Sequence, residues 1–489
     1  AAGADQRTLG GLLVHLLRQE YGTFQLYSGS DAERTSLPVV LGMYLDSLAR
    51  NTLFAGAAAG AAGLLACFAG RKKDPFGFLL ASMLSFYWIV FHLLSNLPLS
   101  DPLYLGVQMR FWMQAHMVMA ALSVPGAVCI ASLLLDNNPP TPPRGAAGAL
   151  AAAVVAAQAG LSYRVSDQSG NWFFEEYAKS AFEAFPQGAI ALTKGDNSIN
   201  LLRYLQVCNG HRPDVALVDQ SMQSFSWYVP MQQRYLPSVL FPARQLWLTK
   251  THVKPQGSYY LFEEFLDANL KREKKGKNGG VFVCGGWHQV HNIQDTAFHG
   301  PKGFKTVPAG LCERVVRAKN FFPDEEGVAG LIIDNDMLGV RDKAKGRLPS
   351  LPKDLNLYDS ASWERSVFSH VLQAKQRMGH YLLMWAQEKG DPEKVLELSI
   401  QASRETVAEW PREEEHKVSL VHRSIAIAMA RLKNVRKQEP RGDANSELII
   451  HHFKKYRELE RKLDTSPEIQ IIEAFYKHPN AAIDVRVEI

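Results

Sequence analysis

The pattern of apolar and polar positions changes near residue 165: apolar residues crowd the chain before it, and nearly all the charge follows. In the first part, four stretches are long and apolar enough to cross a bilayer as helices, which takes about 20 residues. They are "NTLFAGAAAGAAGLLACFAG" (51–70), "FGFLLASMLSFYWIVFHLLSNL" (76–97), "AHMVMAALSVPGAVCIASLLL" (115–135) and "GAAGALAAAVVAAQAGLSY" (145–163). The first and last are rich in Ala and Gly, which suits close helix packing in a bundle. Buried helices of a soluble protein are the alternative, and so few charges across four such segments weigh against it.

Short loops then set the orientation. Arg71, Lys72 and Lys73 sit between the first two spans and Arg144 precedes the fourth, so both loops are expected on the cytoplasmic side. The N-terminal segment, the loop 98–114 and everything after 164 then fall on the opposite, lumenal side. In "TLGGLLVHLLRQE" (8–20), Leu9, Leu12, Leu13, Leu16 and Leu17 form one apolar stripe, read as an amphipathic helix lying in the membrane interface. The loop 98–114 carries Tyr104 and Trp112 as interfacial aromatics, and Arg110 stands at the mouth of the third span. That arginine either snorkels to headgroups or clamps a lipid-linked phosphate through its guanidinium fork.

From residue 189 the periodicity shortens. "AIALT" reads as a buried strand, Asn197 or Ser198 as a cap for a helix through "INLLRYLQVC", Gly210 as its stop, and "VALVD" as the return strand. This is a right-handed βαβ unit. Its first turn holds Gly195 alone, followed by Asp196, so it lacks the three glycines of a dinucleotide site and places a carboxylate where a phosphate would lie. Asp196 is read as shaping the loop by accepting backbone N–H bonds, with contact to an acceptor substrate as the other role. "VFVCGGW" (281–287) and "AGLIID" (329–334) are further strands, and after about 355 amphipathic helices follow one another as stacked pairs of tetratricopeptide-like kind. The division expected is therefore a membrane region (1–165), a lumenal α/β domain (166–350) and a lumenal helical domain (351–489).

Charge and cysteine content add little. The net charge of +5 is mild and "KREKKGKNGG" (271–280) reads as a solvated loop, which argues against nucleic acid as a partner. Of five cysteines, Cys67 and Cys129 lie in spans; Cys208, Cys284 and Cys312 lie where a disulfide is permitted, and Cys284 with Cys312 is the preferred pair. Cys284, His288, His291 and Cys312 as zinc ligands is the alternative, at atypical spacing, and no metal is expected. The adjacent His451 and His452 are read as surface residues. No Ser-His-Asp, HExxH or P-loop pattern is present, so spacing alone names no activity.

Four segments carry a resemblance: "DQRTLGGLLVHLLRQEYGTFQL", "GVQMRFWMQ", "GDNSINLLRYLQVCNGHRPDVALVDQSMQSFSWYVP" and "VFVCGG". In this order they resemble the transmembrane protein 260 family, endoplasmic reticulum protein O-mannosyltransferases of the multi-span glycosyltransferase C type. The likeness runs from about residue 5 to 320, with a looser helical match beyond.

The resemblance implies transfer of mannose from dolichyl-phosphate mannose to Ser or Thr of secretory proteins, plexin-type immunoglobulin-like receptor domains among them, without another cofactor. It implies a multi-pass protein of the endoplasmic reticulum membrane whose partners are lipid, the lipid-linked donor and a folded acceptor. The acidic loop expected to hold the catalytic carboxylate has no counterpart here. The chain, which opens "AAGADQRTL" without Met, is accordingly expected to be the C-terminal portion of such an enzyme, inactive alone, with its catalytic residues upstream of Ala1. Asp5, Arg18 and Arg110 are the donor-side candidates. The competing reading is a non-catalytic scaffold or accessory subunit whose lumenal domains bind protein partners.

Overall fold

A computed structural model describes residues 8–16, 35–52, 54–69, 75–94, 97–134, 152–153, 155–161, 163, 167, 169–247, 257–287, 303–328, 362–437 and 444–460. The chain divides into two compact units: Ala1–Asn171 with Tyr358–Trp363, and Trp172–Leu357 with Glu364–Ile489.

The first unit is helical: α1 (Leu9–Leu16), α2 (Leu37–Asn51), α3 (Ala55–Ala69), α4 (Pro75–Leu94) and α5 (Pro102–Leu134). Among the described residues one helix alone is long and apolar enough to cross a membrane, Tyr104–Ser132 within α5. The pair α2 and α3 meets that test only together, bent by 116°, and α4 contributes a shorter apolar stretch, Pro75–Ile89. Within the fourth expected span, residues 152–153, 155–161 and 163 are described and helical, and the rest lie outside the described residues.

The expected loop 98–114 is instead the first third of α5. Pro102 opens the helix at the position where its missing N–H costs nothing, and the apolar residues that follow continue it. Trp112 consequently is not an interfacial anchor. It is buried, edge-on to Tyr44 of α2 with ring centroids 5.8 Å apart, and Tyr44 in turn meets Trp88 of α4 at 4.7 Å. Tyr87 adds a hydrogen bond of 2.7 Å to the carbonyl of Phe111, tying α4 to α5.

Small residues bring α3 against α5. A Cβ on Gly63 would fall 1.8 Å from the carbonyl oxygen of Leu122, and one on Gly126 would fall 1.7 Å from that of Ala59. The two backbones touch, so only glycine fits. Away from this seam the surface is apolar: Phe76, Leu79, Met83, Phe86 and Ile89 of α4 and Met109, Met113, Met117, Val124 and Val128 of α5 are all exposed.

The second unit is built on one mixed sheet. After α6 (Phe173–Glu183) come β1 (Ile190–Thr193), α7 (Asp196–Cys208) and β2 (Ala216–Asp219). Next are α8 (Tyr228–Gln232), a short parallel pair β3 (Gln245–Leu246) and β4 (Tyr259–Tyr260), and α9 (Phe262–Glu273). The strands β5 (Val281–Cys284), β6 (Phe304–Ala309) and β7 (Cys312–Arg317) complete the sheet. Its order is β2-β1-β5-β7-β6, with β1 parallel to both β2 and β5, and β7 antiparallel to β5 and β6. β1, β2 and β5 are buried at every position, which explains their unbroken apolar runs. Pro308, which cannot donate to a ladder, lies on the edge strand β6.

Alternate strand residues serve two cores. Ile190, Leu192, Ala216, Val218, Val281 and Val283 face the layer of α8 and α9. Ala191, Leu217, Phe282, Cys284 and Cys312 join the other core, which continues through α6 and α7 into the C-terminal helices. Those helices are α10 (Trp363–Glu388), α11 (Glu393–Glu409), α12 (Ser419–Val435) and α13 (Ala444–Leu459). One core thus runs through residues on both sides of position 350, and these parts form one unit. The expected strand at 329–334 lies outside the described residues.

Cys284 and Cys312 face each other across β5 and β7 with Cα atoms 4.5 Å apart, and they are disulfide-bonded. The bond removes two of the four alternative zinc ligands; the other two, His288 and His291, lie outside the described residues. Among the described residues no group of three His, Cys, Asp or Glu is placed to hold a metal ion.

Of the two adjacent histidines only His451 is on the surface. His452 turns inward between α12 and α13, where its Nδ1 lies 2.8 Å from Nδ1 of His422. One ring must donate and the other accept. Burial pushes both imidazoles down to about 4; Glu415 opposes this at His422, while His451, Lys455 and Arg404 add to it.

Two expectations follow. Gly63→Ala should destabilise the first unit by about 3 kcal/mol through overpacking, whereas Gly42→Ala, whose Cβ would meet nothing within 4 Å, should be near neutral; thermal unfolding in detergent separates them. The unfolded chain protonates these histidines near pH 6.5 and the folded chain only near 4, so stability should fall as pH drops through that window and be flat above it. Denaturant titrations at stepped pH read this, and replacing both His422 and His452 by Gln should flatten the curve.

Candidate functional site at the carboxyl ends of the sheet

Strands β1, β2 and β5 end on the same edge, and the chain leaves β1 toward β2 on one side and returns to β5 on the other. Open α/β sheets present ligands at such a reversal of strand order. Three loops meet there: Lys194–Asp196, Gln220–Ser221 and Gly285–Trp287.

Gly285 and Gly286 both adopt left-handed backbone, with φ of 79° and 80°. At Gly285 the requirement is also steric, because a Cβ would fall 2.3 Å from the carbonyl oxygen of Lys194. The backbones after β1 and β5 therefore touch, and Lys194 donates its N–H to the carbonyl of Cys284 at 3.0 Å. Gln220, fully buried, crosses from β2 and donates through Nε2 to the carbonyl of Gly286 at 2.9 Å. Trp287 packs edge-on against Phe262, ring centroids 5.5 Å apart.

Asp196 does not shape this loop as expected. Gly195, with φ of 79°, occupies the cap position and Asp196 is the first helical residue, so neither Asn197 nor Ser198 caps the helix either. Among the described residues the exposed Asp196 carboxylate accepts none of the expected backbone bonds; it stands free at the positive end of α7, where a carboxylate is favourable. Asn197 instead donates to the hydroxyl of Ser366 on α10 at 3.1 Å. The Asx turn is made one strand over, by Asp219. Its Oδ1 accepts the N–H groups of Ser221 (2.9 Å) and Met222 (3.0 Å) and the Ser221 hydroxyl (2.7 Å). The string "VDQS", with a hydroxyl residue two after the aspartate, was the signal for it.

Behind Asp196 lies a buried polar group. The Ser198 hydroxyl sits beside the Tyr177 hydroxyl, which meets His370 Nδ1 at 3.4 Å. Burial raises the Tyr177 hydroxyl above the ordinary phenol range. Burial, then Arg377 and Lys194, lower His370, so both side chains are neutral at pH 7. Tyr177 and Ser198 are buried, so these groups link α6, α7 and α10 internally, and it is the exposed Asp196 carboxylate that faces solvent here. A phosphate would meet the Asp196 charge.

Arg212 positions this edge from the far side. It donates to the carbonyls of Phe182, Phe185 and Pro186 at the end of α6 and pairs with Asp214, holding that carboxyl well below its usual range. Its left-handed φ of 49° is an uncommon conformation for arginine that these bonds sustain.

Of the donor-side candidates, Asp5 and Arg18 lie outside the described residues. Arg110 is exposed on α5, its guanidinium 5.5 Å from the ring centroid of Trp363 in the same unit.

No family profile matches the chain, and no solved structure matches it. Curated proteins do, among them the following two. The protein O-mannosyl-transferase TMEM260 of Mus musculus is 30% identical over 484 residues, covering 97% of this chain and 63% of that protein. The protein O-mannosyl-transferase tmem260 of Dictyostelium discoideum is 26% identical over 415 residues, covering 81% of this chain and 47% of that protein. The chain is a homologue of the transmembrane protein 260 family. It spans less than two thirds of the length of either relative. The similarity to the mouse transmembrane protein 260 extends through both compact units, so the sheet edge and the apolar helices lie within one homologous chain.

The two aspartates at this edge should separate in their effects. Asp219→Ala strands buried backbone N–H groups and should cost about 2 kcal/mol, while Asp196→Asn should change stability by less than about 0.5 kcal/mol. Denaturant unfolding of the whole chain in detergent reads both; equal losses would show that Asp196 carries a structural role after all.

Proposed function

We propose that this chain forms part of a protein O-mannosyltransferase that transfers mannose from dolichyl-phosphate mannose to Ser or Thr hydroxyls of a secretory or receptor protein. The observation that carries this reading is the similarity, across 97% of the chain, to a relative named as a protein O-mannosyl-transferase. Physical features support it. The outward apolar face of α4 and α5 suits hydrocarbon, where a lipid-linked donor resides. The disulfide favours an oxidising compartment for the second unit, consistent with the endoplasmic reticulum lumen and with the basic loops 71–73 and 144 on the cytoplasmic side.

In this reading the apolar stretches form a multi-pass region of four spans, α1 lies in the interface, and the C-terminal helices act as tetratricopeptide-like pairs. Arg110, with Asp5 and Arg18, contacts the donor phosphate, and the sheet edge at Asp196 faces the acceptor.

Protein expressed from its complete coding sequence, reconstituted with dolichyl-phosphate mannose and a folded immunoglobulin-like receptor domain, should transfer mannose. Arg110→Gln should lower kcat/KM about tenfold, the loss of one charge-assisted contact. Absence of transfer with binding of the acceptor intact would favour the non-catalytic scaffold.

A further inference from the structure

A cavity of about 400 Å³ lies in the second unit among α10, α11 and α12 and shares no lining residue with the sheet edge. Gln373, Gln376 and His380 line it from one face of α10, Ser403 from α11, and Leu420 and Ser424 from α12. Its volume is at the lower end of the range of ligand pockets, roughly 300–1,000 Å³. Among the described residues, the carboxamides of Gln373 and Gln376 and the hydroxyl of Ser403 make no hydrogen bond. Ser403 is 2% exposed and packs against Gly379 of α10, where a Cβ would fall 2.5 Å from its Oγ. Buried hydroxyls are ordinarily bonded within the protein; this one is left for an occupant of the cavity.

The charges around this cavity are already engaged. Arg377, also in the lining, is paired with Glu313 at 3.9 Å, Arg423 has a partner of its own, and no carboxylate lines the cavity. Desolvation, then Arg423, lowers His380, whose Nδ1 lies 3.5 Å from the Ser424 hydroxyl, so the ring is neutral at pH 7. What remains is two carboxamides, two hydroxyls and a neutral imidazole, each able both to donate and to accept, beside the half-exposed Leu420. A neighbouring cavity of about 520 Å³ between α11 and α12 shows the opposite arrangement. There Gln401 donates to Glu405 at 3.2 Å and Arg436 is paired with Glu393 and Glu397, so these polar groups satisfy one another.

We propose that this cavity binds an uncharged hexopyranoside, with Gln373, Gln376, Ser403 and Ser424 exchanging hydrogen bonds with its hydroxyls and Leu420 covering a C–H face. Each sugar hydroxyl both donates and accepts, which matches side chains of the same kind and leaves no charge unanswered. The groups converge from three helices on one compact volume, as a ring with hydroxyls around its perimeter requires; an extended peptide main chain would need them in a row. The inference goes beyond the transferase reading, since binding needs no donor and breaks no bond.

The test is saturation-transfer-difference NMR on the whole chain in lipid nanodiscs, with no lipid-linked donor present. The probes are methyl α-mannopyranoside, a mannosyl-threonine peptide and the same peptide without its sugar. Both glycosides should bind saturably and compete with each other, and the bare peptide should not bind. Gln373→Ala combined with Gln376→Ala removes two side chains that hold nothing else in place and should weaken both glycosides about tenfold. Gln401→Ala in the neighbouring cavity should bind like the unaltered chain. Tighter binding of the glycopeptide than of the methyl glycoside identifies a glycosylated polypeptide as the source of the sugar, and equal affinity identifies a free or lipid-borne glycoside; either supports the site. No saturable binding of either glycoside, unchanged affinity in the folded double variant, or equal binding of the bare peptide would each overturn the proposal. Mannose transfer by the complete protein without this binding sinks only this inference, and this binding without transfer sinks only the enzymatic reading.

Discussion

Burial of the sheet on both faces is the constraint on which the second unit depends. Side chains alternate along β1, β2 and β5, so each strand must satisfy two cores at once, and no position on it can be polar without a buried partner. Ile190 and Leu192 belong to the α8 and α9 layer, while Ala191 between them belongs to the core shared with the C-terminal helices. Ala191 is small and allows α6 and α7 to approach; Phe282 on the neighbouring strand fills the space beside it. The helices after residue 362 therefore complete the second face of the sheet and are not an appended domain.

The first unit turns its apolar side chains the other way. Its tightest contact is glycine backbone against carbonyl at Gly63 and Gly126, and its large apolar side chains point outward. In water such a surface would drive association; in hydrocarbon it costs nothing, and close backbone packing supplies cohesion that the hydrophobic effect no longer gives. The aromatic contacts of Tyr44 with Trp88 and Trp112 add to that cohesion from three helices. The two units thus apply one principle with opposite arrangement, and the sharp change of composition near residue 165 is its trace in the sequence.

Local signals were read well where one interaction dominates. The runs "AIALT", "VALVD" and "VFVC" mark strands because burial on both faces forbids polar positions, and Gly210, with φ of 64°, stops α7 because only glycine adopts that conformation easily. The caps were misread because Asp, Asn and Ser stand together after Gly195, and each is a good cap in isolation. The partner decided between them: Ser366, from α10, takes Asn197 away from the role. The hairpin of β6 and β7 was missed although Gly310 marks its turn, since its strands are half-buried and polar enough to pass for loop.

By itself the sequence determined composition-driven properties: an apolar, small-residue N-terminal part, a parallel βαβ unit, a helical C-terminal part, and a first turn unfit for a nucleotide. Each follows from residues within one or two turns of one another, or from the average of a long window. Tertiary structure alone decided the rest. That Trp112 is buried and not interfacial, that His452 faces His422 while His451 faces solvent, and that Asp219 and not Asp196 makes the turn all depend on residues distant in the chain. So does the cavity that brings Arg377 and Arg423 to one lining. Such pairings follow from how helices and strands pack, and packing is set by shapes and volumes summed over the whole unit, which no short window of sequence contains.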